Sequence, residues 1–393
     1  MHQPPNSLPA PVLLIEGCNF SDFPPGGQLT FCRELIKAFP DGQFRLVGIT
    51  TDRSEPVGSW TKKTLGGRRV EFFAVRYSEP NVKPLIPARL TFLLGLLRWR
   101  RKLFLGPPRR VITNAPESLV AIGGVRRLSL LHFLHGVENP LDRSRYRWAV
   151  LLRTAFWGAY LRALEKADYL VAAADKRHIE SFKKKYSIEK DIASFPTRFD
   201  DLVFKCDFRL HAVKNRFICS GRLSEVKDHW FMLEAFAAFR HKYGVGELII
   251  IGDGDLRAKL ERHVASCGLG SVVRFLGFLK PEDLARQLRR ANVYLLTSHF
   301  EGWPTALVEA LACGRPSVVT DVSGVRQMIW NGGNGFVVEK RDVGEFADCM
   351  YRATFLACPN DLSVASVAQL GTSTMAGELC ASFGDFFSGD RLH

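Results

Sequence analysis

Ser298-His-Phe-Glu301-Gly-Trp-Pro304-Thr-Ala-Leu-Val-Glu309-Ala-Leu-Ala-Cys-Gly314-Arg-Pro316 is the stretch whose reading decides the fold. It follows Asn292-Val-Tyr-Leu-Leu-Thr297, an apolar run rich in β-branched and aromatic residues that reads as a buried strand. Gly302 and Pro304 break the strand, Pro304 suits the first turn of a helix, and Thr305 caps or opens it. The helix is predicted to run from Ala306 to Cys313 and to stop at Gly314, with Pro316 beyond. Ser317-Val-Val-Thr320 then reads as the next strand. Strand, tight loop, helix and strand make one repeat of a parallel sheet.

Glu309 is out of place in that helix. Ala306, Leu307, Val308, Ala310, Leu311 and Ala312 surround it, and an ionised carboxylate there must find a partner or bear a large desolvation cost. Helical side chains lean toward the N-terminus, so Glu309 leans toward the loop that carries Glu301. The same helix end offers unpaired N–H groups and the positive end of a dipole, a seat for phosphate. Two carboxylates beside an anion seat suit a sugar nucleotide, whose hydroxyls donate to the acids while amides hold the diphosphate. The plainer alternative is a Glu309 that faces water from a half-exposed helix.

Glu301, seven residues, Glu309 and the following Ala-Leu-Ala-Cys-Gly-Arg-Pro resemble the E-x7-E signature of family 4 glycosyltransferases. The resemblance is specific over residues 219–316 and looser before Asp168. It implies a GT-B fold, α/β, with two Rossmann-like doubly wound domains facing across a cleft. The expected division is an acceptor-binding domain over 1–195, a nucleotide-sugar domain over 205–370, and a terminal helix in 371–393 that crosses back to the first domain. It further implies a retaining sugar transfer that needs no metal and no cofactor beyond the nucleoside-diphosphate sugar itself. Gly302, Trp303, Pro304, Thr305 and Glu309 would hold the donor, with Glu309 on the ribose and Glu301 on the sugar hydroxyls.

The rest of the chain is consistent with a two-domain enzyme. Its 393 residues suffice for two domains, and 46% hydrophobic with 24% charged residues can build sizeable cores. Fifty-four basic against 40 acidic residues leave a net charge of +14, which favours anionic partners. Nine cysteines, scattered from Cys18 to Cys380 without C-x-x-C pairs, argue against a disulfide framework or zinc site and for a reducing compartment. The first residues carry no secretory pattern, and no stretch reaches ~18 uninterrupted apolar residues. The expected location is cytoplasmic, or peripheral on the inner face of the membrane.

In the N-terminal half, Pro11 to Gly17 reads as a buried strand, Gly26-Gly27 as a bare turn, and Gln28 to Phe39 as a helix with Leu29, Cys32, Leu35 and Ile36 on one face. Many βα turns carry glycine without a ligand. The resemblance assigns Gly26 and Gly27 to a turn that faces the donor phosphates and the acceptor. Further strands are expected at Phe44–Thr50, Val70–Val75, Arg110–Thr113, Leu128–Leu134 and Asp168–Ala173. His135 falls at the end of one of them, where open α/β sheets bind ligands. The family places an active-site histidine there, whereas His132, on the opposite strand face, reads as a core residue. Two basic segments, 89–104 and 143–166, mix arginines with leucine or tryptophan. Each reads either as a helix on an anionic membrane surface or as an ordinary packed helix.

Ala193 to Asp200 resembles the family's hinge, with Thr197, Arg198 and Phe199 departing from its usual run. Beyond it, Asn215–Ser220 is a strand, followed by Gly221-Arg222-Leu-Ser-Glu-Val-Lys227-Asp-His-Trp. Arg222 and Lys227 match the family's phosphate grip, Arg as a planar fork and Lys as a point charge. Asp228-His229, where the family often has glycine, looks inconsequential. Gly277 ends the strand Val272–Gly277, whose backbone lines the base pocket in the family. Asp253-Gly254-Asp255 is read as a structural turn rather than a Mg²⁺ site. The rival readings are another GT-B chemistry, such as a sugar-nucleotide epimerase or hydrolase, and a non-enzymatic anion or nucleic-acid binder. No specific nucleic-acid module is present in the pattern. The expected partners are therefore a nucleotide-sugar donor, a glycan or lipid-linked acceptor, and an anionic membrane surface.

Overall fold

The computed structural model describes residues 11–24, 26–80, 82, 84–105, 110–125, 127–135, 151–357 and 359–388. The chain divides into two units, Met1–Pro196 with Thr372–His393, and Thr197–Gly371.

The first unit carries strands β1 (Val12–Ile15), β2 (Phe44–Thr50), β3 (Trp60–Leu65), β4 (Arg68–Tyr77), β5 (Arg110–Thr113), β6 (Ser129–Leu134), β7 (Tyr169–Ala172) and β8 (Ile192–Ser194). They form one sheet in the order β3-β4-β2-β1-β5-β6-β7-β8. Among these strands only β3 runs antiparallel, joined to β4 by Gly66-Gly67, both at positive φ. Strands buried on both sides read as continuous apolar runs. In β1, Val12 and Leu14 enter one core while Leu13 and Ile15 enter the other. The helices α1 (Gly27–Ala38), α2 (Ala88–Leu103), α3 (Pro116–Ile122), α4 (Arg153–Lys166) and α5 (Lys176–Tyr186) come from the N-terminal stretch.

The second unit carries β9 (Arg216–Ser220), β10 (Glu247–Ile251), β11 (Val273–Gly277), β12 (Val293–Leu296), β13 (Ser317–Thr320) and β14 (Gly335–Val338). All pairings are parallel, and the order is β11-β10-β9-β12-β13-β14. That is the 3-2-1-4-5-6 order of a dinucleotide-binding sheet. Its helices are α6 (His229–Tyr243), α7 (Arg257–Ser266), α8 (Pro281–Arg290), α9 (Thr305–Ala312), α10 (Val325–Met328), α11 (Val343–Ala353) and α12 (Pro359–Val367). Leu248, Ile250, Val293, Leu295 and Val318 meet Phe236, Phe239, Leu260 and Phe346 in its core. Helix α9 begins at Thr305 and ends at Ala312, close to its predicted span.

Two final helices, α13 (Thr372–Ser382) and α14 (Gly384–Ser388), belong to the first unit. Thr372 Oγ1 donates to Glu34 Oε2 of α1 at 2.7 Å, Phe387 stacks on Phe39, and Arg110 donates to the carbonyls of Phe386 and Phe387. Within the second unit, Arg198 is buried and donates to the Gln369 carbonyl. The predicted segment 143–166 is described only from Leu151, and its helix starts at Arg153.

Candidate functional site

Open α/β sheets bind ligands beyond the carboxyl ends of their strands, where the strand order reverses. In the second unit that place lies between β9 and β12. Strand β9 ends at Ser220, and Gly221 at φ +147° turns the chain. A Cβ on Gly252 would lie 1.9 Å from the Gly221 carbonyl oxygen, and one on Gly254 would lie 2.3 Å from that of Leu223. The turn after β10 therefore rests directly on the turn after β9. Asp253 spends its carboxylate on its neighbour's N–H at 2.8 Å and on Arg257 at 3.4 Å. Its position is explained by packing.

Arg222, exposed, follows Gly221 on this turn. A short 3-10 turn, Glu225–Lys227, then delivers Lys227. From the other side of the reversal, the loop after β12 delivers Glu301. The two meet: Lys227 Nζ lies 2.6 Å from Glu301 Oε1, and Ser298 Oγ donates to the same oxygen at 2.6 Å. Both side chains are partly buried, at 24% and 11% exposure, so water screens the pair only weakly. Seventy-four residues of chain separate two groups that the sheet order makes neighbours.

Gly302, Trp303 and Pro304 carry the chain from Glu301 into α9. Pro304 occupies the N-cap, and no side chain among the described residues caps the helix. Trp303 is buried against Gly324, where a Cβ would stand 2.7 Å from the ring, and its indole N–H has no partner among the described residues. Thr305 is the first helical residue, and its N–H is taken by the Trp303 carbonyl at 2.9 Å. Glu309 is half-buried on the same helix. Tyr294 of β12 lies within reach of its charge. Burial first, with the charges of Cys219 and Glu309, holds that phenol above the usual range, while its hydroxyl donates to the Ser220 carbonyl at 3.3 Å. Glu309 thus stands on the helix that follows β12, with its charge felt by Tyr294 on that strand and by Cys313 at the helix end. Gly277 ends β11, two strands from β9, with φ +71° and Arg257 Nη1 3.2 Å from where its Cβ would be.

Asp228 looks inconsequential in the sequence, and the structure corrects this. It adopts φ +43°, a left-handed conformation that Asp tolerates. Its carboxylate accepts from Phe231 N–H as the cap of α6 at 3.2 Å, lies 3.1 Å from His299 Nε2, and pairs with Arg341. Arg341, Ser298 and Tyr294 likewise carry no functional signal in the sequence. Arg341 stands in Glu339-Lys-Arg-Asp342, a run that reads as solvated charge, and nothing local marks it.

The remaining candidates lie in the first unit, whose sheet reverses between β1 and β5. Gly26 is the cap of α1 at φ +155°, no side chain among the described residues closes the helix end, and a Cβ on Gly27 would meet nothing within 4 Å. His135 follows β6. Its ring packs on Phe31 and Phe133, and burial pushes its pKa down to about 4, so the imidazole is neutral at pH 7. Its Nε2 has no partner among the described residues. The chain after His135 lies outside the described residues until Leu151. His132 is fully buried, with Thr113 Oγ1 at 2.7 Å and Tyr160 OH at 2.9 Å, as a core histidine should be.

Residues 207–354 match the family of glycosyl transferases group 1. The amylovoran biosynthesis glycosyltransferase AmsK of Erwinia amylovora is 33% identical over 143 residues, 35% of either chain. The chain spans about a third of the length of the curated relatives it matches. Among solved structures, the sucrose-phosphate synthase of Thermosynechococcus elongatus superposes with a TM-score of 0.77 at 18% identity, over 97% of this chain and 100% of that one. Anabaena HepE in complex with UDP and glucose superposes with a TM-score of 0.70 at 17% identity, over 95% and 99%. The fold is accordingly GT-B, built from two Rossmann-like units.

Proposed function

We propose that this protein is a retaining, metal-independent glycosyltransferase that moves a sugar from a nucleoside-diphosphate sugar to a glycan or lipid-linked acceptor in cell-surface polysaccharide or lipopolysaccharide synthesis. The observation that carries the reading is the Lys227–Glu301 pair at the strand reversal of the second unit, beside the start of α9. A nucleotide-binding sheet order supplies the place, and cation, carboxylate and helix amides supply the chemistry.

In the reaction the bond from the sugar's anomeric carbon to the diphosphate breaks, the diphosphate leaves with the electron pair, and the acceptor oxygen forms the new bond. The acceptor's proton passes to the departing phosphate. Lys227 has three donors and Glu301 occupies one, leaving the others for phosphate oxygens. Arg222, Lys227 and the positive N-terminal end of α9 stabilise the charge gathering on the leaving group, which is the largest contribution to catalysis in a site of this kind. Glu309 receives the ribose hydroxyls, Glu301 the sugar hydroxyls, and the indole N–H of Trp303 donates to an oxygen of the donor. Gly277, at the end of β11, is assigned to the base. In the first unit Gly26 and Gly27 leave the start of α1 open to the acceptor, and neutral His135 offers Nε2 to a hydroxyl. We place the enzyme in the cytoplasm.

One surface favours contact with the inner face of the membrane. Leu94, Leu97, Arg98 and Arg101 are partly or fully exposed at helical spacing on α2, with Leu85 and Leu105 exposed at its two ends. Leucine beside arginine on one face suits an anionic interface. No described helix is long and apolar enough to cross a membrane. Pelleting with anionic vesicles at low salt, lost in Leu94→Ser/Leu97→Ser, is the expected outcome; no pelleting removes the membrane from the account.

The test of the main reading is thermal shift with UDP, GDP and ADP, followed by transfer from the sugars of whichever binds, with the anomer of the product read by NMR. Stabilisation by one nucleoside diphosphate and retained configuration are expected. Turnover that is abolished by a chelator, or that frees sugar without using an acceptor, would replace the reading by a metal-dependent transferase or a hydrolase.

A further inference from the structure

The Lys227–Glu301 contact joins two turns that the sheet order brings close but does not itself align. A set of short contacts holds them in register. Thr297 Oγ1 lies 3.1 Å from the Lys227 carbonyl and 3.0 Å from that of Asp228, and His299 N–H donates to the Val226 carbonyl at 2.8 Å. Thr320 Oγ1 of β13 donates to the Ser298 carbonyl at 2.8 Å. Each of these is local to strand ends already side by side.

Arg341 is different, because it arrives from a third place, the loop between β14 and α11. Its Nη2 donates to the Asp228 carboxylate and, at 3.0 Å, to the Thr297 carbonyl, and its Nη1 lies 3.4 Å from the Ser298 carbonyl. The guanidinium carbon stands 4.6 Å from the centre of the Phe231 ring on α6. One planar fork therefore holds the residue next to Lys227, the two residues that lead to Glu301, and the first turn of α6. A single ion pair at the surface contributes little to stability. A fork shared between a carboxylate and two carbonyls on separate turns instead fixes geometry, and arginine's rigid planar spread of donors suits it where a lysine's point charge does not.

We propose that Arg341 is the positioning residue of this site: it touches no reacting atom and sets the separation of Lys227 from Glu301. The inference rests on the function proposed above. It also assigns Asp228 a role, as the carboxylate through which Arg341 reaches the Lys227 turn. A charge placed about 1 Å from its working position loses much of its effect on a developing charge, even when binding of the ground state survives.

The experiment compares the wild-type enzyme, Arg341→Ala, Arg341→Lys, Lys227→Ala and the double variant Arg341→Ala/Lys227→Ala, in transfer from the nucleotide sugar that supports turnover. Folding is checked by circular dichroism and melting temperature. In Arg341→Ala, kcat is expected to fall roughly ten- to thirtyfold while the donor KM moves less than about threefold, the pattern of a contact felt in the transition state. Arg341→Lys, with its charge but no fork, should recover only part of the rate. In the Lys227→Ala background, removing Arg341 should cost less than about threefold more, since its target is gone. Should Arg341→Ala fail to fold, Arg341→Lys in both backgrounds carries the same comparison. A kcat within about twofold of wild type in a folded Arg341→Ala protein, or losses that multiply in the double variant, would overturn the proposal. A wild-type protein that turns over no nucleotide sugar fails earlier, at the proposed function, before any variant is compared.

Discussion

The two units each contain a sheet whose strand order reverses once, and they furnish that place in opposite ways. In the second unit the reversal holds partly exposed charge: Arg222, Lys227 and Arg341 with Glu301 and Asp228, all at the rim of β9 and β12. In the first unit the reversal between β1 and β5 holds buried acid. Glu16, directly after β1, is 5% exposed, and Glu117 on α3 is 4% exposed. Arg89 Nη1 reaches Glu117 at 3.4 Å, while Glu16 Oε1 accepts the Gly17 N–H at 2.9 Å and its Oε2 has no partner among the described residues. Burial, and then the charge of Glu117, push Glu16 up to about 8, so it is largely neutral at pH 7. The same topology offers an anion a cationic rim in one unit and presents buried acids, one neutral and one paired with Arg89, in the other. Topology fixes where a ligand can sit; the residues at two strand ends fix which ligand.

The largest effect expected from this contrast is structural. Gly252→Ala places a Cβ 1.9 Å from the Gly221 carbonyl at φ +129°, which no side-chain rearrangement relieves. It should cost more than about 4 kcal/mol and remove the folded second unit, read as lost soluble yield or an early melting step. Wild-type stability would mean that the two turns are not in contact.

Next is the buried acid. Folded Glu16 binds its proton more tightly than an unfolded glutamate near 4.5, so stability falls as pH rises from about 4.5 through about 8. At ~1.4 kcal/mol per pKa unit the ceiling is of the order of 5 kcal/mol. Glu16→Gln should therefore melt near wild type at pH 5 and higher than wild type at pH 8. Glu117 and Arg89 are the charges that face it, and Arg89→Ala should deepen the wild-type loss at high pH. Parallel melting curves for Glu16→Gln and wild type across this range would show that Glu16 is charged in the fold.

Smaller in energy but central to function, Lys227→Ala and Glu309→Ala should each lower transfer by roughly a hundredfold or more, ~3 kcal/mol of transition-state stabilisation. Their melting temperatures should change little, since neither side chain belongs to the apolar core. Equal losses from Glu117→Gln would erase the distinction between the two reversals.

The smallest expected effect is the stability change of Gly27→Ala, below about 0.5 kcal/mol, because an added methyl meets nothing and the backbone is not left-handed. Activity should nevertheless drop, since the methyl stands at the open end of α1. A variant with both stability and rate intact would take Gly27 out of the site.

Much of this architecture is readable from residue patterns because buried parallel strands announce themselves as apolar runs. The strand before Glu301, the helix expected over Ala306–Cys313 and found over Thr305–Ala312, and the sheet class follow from composition and punctuation alone. The hairpin strand β3 is hidden because its Thr61-Lys-Lys-Thr64 core is polar, although Gly66-Gly67 is a usable turn signal. Short α3 and lysine-rich α5 lack a long apolar face and are hard to see for a related reason. In the site, Lys227, Glu301 and Glu309 stand out as polar residues in motif or apolar surroundings. Asp228 and Arg341 do not, because their role exists only once residues 113 apart in sequence are set side by side. Sequence pattern marks groups that offend their surroundings; it is silent on groups whose surroundings come from elsewhere in the chain.

Calorimetric titration of UDP, GDP and ADP into the wild type, Lys227→Ala and Glu309→Ala tests the central claim most directly. The account predicts that one of the three nucleotides binds wild type at a single site, and that each substitution weakens it at least about tenfold without unfolding the protein. Binding of equal strength in all three proteins, or no binding by wild type, would contradict the placement of a nucleoside diphosphate at the β9–β12 reversal.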